Sequence, residues 1–113
     1  MKNYLIIIIS IILSFNSTAG ELVRDAEVIE VSNTNNNGPD FSIRINGGVW
    51  TTTSSTCSLT TGIIFPESKS QSSDSHKQAF SIALTALTTG KKVRIHNFED
   101  DTCTGANFIS ISK

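Results

Sequence analysis

The chain has 113 residues, 38% of them hydrophobic, with a formal net charge of −1. That length suits one small domain, and the near-balanced charge leaves no basic stripe with which to neutralise nucleic-acid phosphates. With two cysteines and two histidines, it lacks the clustered ligands of a metal domain.

The first stretch is an address. Lys2 is followed by an apolar run from Leu5 to Leu13, broken by Ser10, and then by small residues ending in Ser17-Thr18-Ala19. This is the pattern of a secretory signal peptide over residues 1–19, with trimming near Gly20 or Glu21. The run falls short of the ~20 apolar residues of a permanent span, so no stable membrane insertion is expected. The remainder, residues 20–113, reads as a single domain of 94 residues (113 − 19) working in the periplasm or outside the cell.

Glu21 to Ser32 is rich in β-branched residues and reads as a first strand, followed by an Asn-rich loop over Asn33–Asp40. Phe41–Asn46 alternates cleanly, with Phe41, Ile43 and Ile45 on one face. Gly47-Gly48 then suggests a tight hairpin turn into a strand over Val49–Thr53. Ser54–Thr61 fits either an edge strand or a loop, and Gly62–Phe65 is a short strand stopped by Pro66.

A polar loop over 67–75 leads to a helix capped by Ser73 or Asp74 and ending at about Thr89, with Gly90 just past its end. Ala79, Phe80, Ala83, Leu84 and Leu87 form its apolar stripe, widened by Ile82 and Ala86. Val93–Asn97 and Phe108–Ser112 are the last strands, joined by a turn over Glu99–Gly105. The fold class is therefore mainly β with one α-helix, lying between the third or fourth strand and the last two. Such an order can curl into an OB-fold-like small barrel capped by the helix, or stay an open antiparallel sheet.

Cys57 and Cys103 are expected to form one disulfide, as suits an exported chain. His76 reads as a partly covered surface residue and His96 as outward on its strand. No nucleophile–base signature appears, so the chain is not expected to be an enzyme, and no cofactor or metal is implied. Glu99-Asp100-Asp101 lacks the spacing of a calcium loop and reads as a solvated turn. Arg44, Asn46 and Trp50 are the candidate ligand-binding residues, because an aromatic face beside Arg and Asn suits a sugar. The competing reading of Trp50 is core filling.

The segment from Asp74 to His96, with its Thr89-Gly90 turn and Val93-Arg94-Ile95 strand, resembles the helix-then-strand of AB5 toxin B subunits of the subtilase-cytotoxin and typhoid-toxin type. Glu27-Val28-Ile29-Glu30 and Phe41-Ser42-Ile43-Arg44 also look similar, and the likeness spans residues 24–111. It extends to a group of short exported bacterial proteins with a cysteine after the strand that follows the helix, the place of Cys103. The resemblance implies an OB-fold lectin assembled as a homo-pentamer with a catalytic A subunit. Where that family uses a Ser and a Tyr for its sugar, this chain has Leu22-Val23-Arg24-Asp25. The family's glycan specificity is therefore not carried over, and the expected partner is a glycan or a protein ligand. The alternative is a monomeric envelope protein that binds another protein, as an inhibitor or assembly factor.

Overall fold

The computed structural model describes residues 20–34, 38–57 and 62–113. The expected leader, residues 1–19, lies outside these, as do residues 35–37 of the Asn-rich loop and 58–61 of the Ser/Thr-rich segment. The strands are β1 (Glu21–Asn33), β2 (Phe41–Asn46), β3 (Val49–Trp50), β4 (Ile63–Phe65), β5 (Lys92–His96) and β6 (Phe108–Ser112), with the helix α1 (Ser73–Thr89) between β4 and β5. They form one antiparallel sheet in the order β4-β2-β1-β5-β6, with β3 also paired to β1. The mainly β, one-helix class read from the sequence is the one found.

The sheet is not closed into a barrel. Its two edge strands are bridged instead by the loop ahead of β6: Ile64 N–H donates to the Cys103 carbonyl (2.8 Å), and Ala106 N–H donates to the Ile64 carbonyl (3.0 Å). The disulfide Cys57–Cys103, with Cα atoms 5.1 Å apart, ties the same loop down. Such a bond is the mark of an oxidising, non-cytoplasmic compartment. Among the described residues no helix is long and apolar enough to cross a membrane.

Gly47-Gly48 is not the expected hairpin turn. Asn46 pairs with Glu27, Val49 with Arg24 and Trp50 with Val23, so β3 continues along the same edge of β1 as β2. The two glycines, at φ 69° and 87°, make a corner where β1 also bends, at Asp25 with φ 56°. A Cβ on Gly48 would meet the Ala26 Cβ at 2.8 Å and the Arg24 carbonyl oxygen at 2.9 Å. Only a residue without a side chain lets the strands cross this closely. The expected strand over Val49–Thr53 shortens accordingly, and Thr51 and Thr52 both donate N–H to the Leu22 carbonyl. Register shifts in β1 explain why its burial does not alternate: Leu22 and Val23 are both buried, while Ile29 is exposed.

The helix begins one residue earlier than its expected caps. Ser72 is the N-cap, its hydroxyl accepting from Ser75 N–H at 3.0 Å, and Gly90 at φ 74° ends the helix with its N–H on the Ala86 carbonyl. The buried stripe is His76, Ala79, Ala83 and Ala86. Phe80 and Leu84 keep 39% of their surface exposed and Leu87 37%, contrary to the expectation that they cover the sheet. Three small side chains let the helix backbone settle close to the sheet, which turns the large residues to its flank. Below lies a core of Leu22, Val23, Ile43, Ile63 and Ile95, with the Phe41 and Phe65 rings stacked at 4.7 Å. His76 is buried, not partly covered: its Nε2 lies 2.8 Å from the Phe65 carbonyl.

Candidate functional site

The residues expected to hold a ligand are spread along one side of β1, on β2 and β3. Arg44 stands opposite Glu30, whose carboxylate it approaches to 3.8 Å, and Trp50 stands opposite Val23. Glu30 and Val23 are seven residues apart on β1, roughly 20 Å at strand rise. Arg44 and Asn46 share an exposed face two residues apart, whereas Trp50 is half-buried and packs on the core. The Gly47-Gly48 corner separates them, because β3 runs on instead of folding back over β2.

A more concentrated arrangement lies at the far end of β5. Asn97 is 1% exposed, and its amide organises the following turn. Its Nδ2 donates to Asp100 Oδ1 (2.6 Å) and the Thr102 carbonyl (2.9 Å), and its Oδ1 accepts from the N–H groups of Glu99 and Asp100. The acidic triplet is thereby accounted for. Asp100 stays exposed, its carboxyl held below the usual carboxylate range chiefly by the Thr102 N–H and hydroxyl. Glu99 turns out to pair with Lys69 at 3.2 Å.

Asn97 is locked inward, and Phe98, next to it in the turn that follows β5, keeps 60% of its surface exposed. Its ring stacks on His96 at 4.7 Å with 19° between planes and meets the Phe108 ring at 5.6 Å edge-on. Phe108 stands perpendicular to His96 at 5.2 Å, and the Arg94 guanidinium lies 6.0 Å from its centroid. The backbone beneath is fixed as well, Phe98 N–H donating to Asn107 Oδ1 at 3.1 Å. A recess of about 260 Å³ adjoins this aromatic shelf, lined by Lys69, Gln71, Ser75 and Asn107 beside the two phenylalanines.

His96 is buried, contrary to its expected outward place, because Phe98 and Phe108 cover it. Burial, with the neighbouring Arg94 charge, pushes its imidazole below the ordinary value, and Glu21 opposes this. Its Nδ1 has no hydrogen-bond partner among the described residues. The Phe98 ring presents its face to solvent, flanked by amide, hydroxyl and ammonium groups. No group of three metal-ligating side chains occurs among the described residues. Sequence reading missed Phe98 because it falls in a turn, where no periodicity reveals that a neighbour has been locked inward.

The sequence profile of a family of unknown function (DUF5992) matches residues 2–113, and the chain belongs to that family. No curated protein and no solved structure matches it.

Proposed function

We propose that this chain is a non-catalytic, exported binding module that holds a glycan against Phe98. The observation that carries the reading is the 60% exposed Phe98 ring, stacked on His96 and beside Phe108, next to a polar recess. A large apolar ring held open to solvent costs free energy that a sugar's C–H face recovers on stacking. Asn107, Gln71 and Lys69 offer directed hydrogen bonds to its hydroxyls. The resemblance to AB5 toxin B subunits, whose sugar-binding Ser and Tyr this chain lacks, adds to the proposal a homo-pentameric ring serving a catalytic subunit.

The test is a glycan array probed with the exported protein and with Phe98→Ala. Binding by the parent and at least tenfold weaker binding by the variant, at unchanged melting temperature, supports the reading. Equal binding by the variant removes Phe98 from it. Light scattering on the same material reads the mass: five subunits support the ring, and a monomer removes it.

A second reading, capture of a protein partner, is favoured by the helix. From Gln78 to Gly90 it carries no charged residue, and it leaves Phe80, Leu84 and Leu87 partly exposed. Under this reading Leu84→Glu abolishes co-purification of an envelope protein while glycan binding is absent throughout.

A further inference from the structure

The recess beside Phe98 does not end at Asn107. Ser75, Asn107 and Phe108 also line a second recess, of about 270 Å³, that runs on between α1 and β6. Ser75, Gln78 and Ile82 stand along its helix side, and Phe108 and Ile109 along its strand side. Because the two recesses share three residues they form one groove, with the Phe98 ring at one end. Ser75 and Ile82 are seven residues apart on α1, about 10 Å at helical rise.

The helix builds this groove with one flank. Spacings of three and four place Ser75, Gln78 and Ile82 in a row, on the side of the buried alanine stripe away from Phe80, Leu84 and Leu87. Ser75 is bonded through its backbone N–H to the Ser72 cap, and among the described residues its hydroxyl and the Gln78 amide make no hydrogen bond. Beneath them Ala79 and Ile109 are buried, and Phe108 and Ile82 are partly covered, so polar groups stand over an apolar floor. That combination suits a chain of sugars, whose hydroxyl edges need partners and whose C–H faces need apolar contact. The groove is electrically neutral. No charged side chain lines the second recess, and Lys69 in the first is paired with Glu99 at 3.2 Å.

We infer that the groove takes a neutral oligosaccharide, one unit stacked on Phe98 and the next units laid between α1 and β6. The inference rests on the glycan reading of Phe98 and adds two claims to it. Affinity grows with chain length, because Gln78 and Ile82 lie beyond the recess that Phe98 lines. An acidic sugar gains no ion pair, because the one ammonium in the groove is already engaged.

The experiment is an amide-shift titration of the ¹⁵N-labelled oxidised protein. The probes are the one-to-four-unit series of β-1,4-linked glucose, xylose and N-acetylglucosamine and of α-1,4-linked glucose, with lactose against sialyllactose. At least one series should gain tenfold or more in affinity from one unit to four. Its longer members should shift the amides of Gln78 and Ile82, which the single sugar leaves in place. Gln78 is exposed, so Gln78→Ala keeps the fold, and it should cut the gain with length at least threefold; Phe98→Ala should weaken every member. Binding that is lost in Phe98→Ala but does not grow with length leaves the glycan reading standing and overturns the groove. A gain with length undiminished in the Gln78→Ala/Ile82→Ala double variant overturns it too. Sialyllactose binding tenfold tighter than lactose overturns the neutral class. No binding by any series overturns the inference, and the array with Phe98→Ala then decides the glycan reading by itself.

Discussion

Replacing Gly48 by alanine tests the shared corner of β1 and β3. Two costs add. Alanine at φ 87° occupies the left-handed region, at roughly 1–2 kcal/mol. Its Cβ would also lie 2.8 Å from the Ala26 Cβ and 2.9 Å from the Arg24 carbonyl oxygen, well inside the ~3.5–4.0 Å of a normal contact. Both obstacles belong to β1, so the central strand must move, at a further cost of about 1–3 kcal/mol. Gly47→Ala is the control, because Gly47 has φ 69° and nothing within 4 Å of the new atom. The gain from stiffening the unfolded chain, about 0.4–1 kcal/mol, is common to both and cancels in the difference. Gly48→Ala should therefore be less stable than Gly47→Ala by about 2 kcal/mol in urea unfolding followed by circular dichroism, with unchanged slope. A difference below about 0.5 kcal/mol would refute the close crossing.

Three further outcomes are expected. The Cys57→Ala/Cys103→Ala double variant should lose about 4 kcal/mol, the chain-entropy value for a loop closed across 46 residues, and a loss below ~1 kcal/mol in chemical unfolding would show that the loop is held without it. Trp50→Ala should lower stability by roughly 2 kcal/mol, since its half-buried ring packs on the core; unchanged unfolding would return Trp50 to the ligand-binding candidates. His96 is held below its ordinary value of 6.5, so the folded state keeps it neutral while the unfolded chain takes up the proton first. Its contribution is complete above pH ~6.5 and is lost as pH falls through the folded pKa, so midpoints should drop from pH 7 to pH 5, and His96→Gln should flatten that slope.

Much of the fold was legible because local signals agreed. Phe41–Asn46 alternates and is a strand, Gly90 stands at a left-handed helix end, and the only two cysteines pair. What failed were decisions taken by tertiary contact. Gly47-Gly48 signals positive φ in either a hairpin or a corner, and the choice depends on whether β1 offers an edge at Arg24. The stripe of α1 included Phe80, Leu84 and Leu87 because periodicity weighs large apolar residues, whereas the sheet selected the small ones. The outward turn of Phe98 depends on Asn97 bonding residues up to five positions on, which no pattern of hydrophobicity records.

The place of β1 in the sheet bears on how the molecule is made. It is the first element among the described residues, yet it lies at the centre of the sheet, and its partner on one side, β5, begins some 70 residues later at Lys92. During synthesis one edge of β1 therefore has no mate until most of the sequence has emerged. Non-local pairing of this kind is slow, and an open edge invites foreign strands.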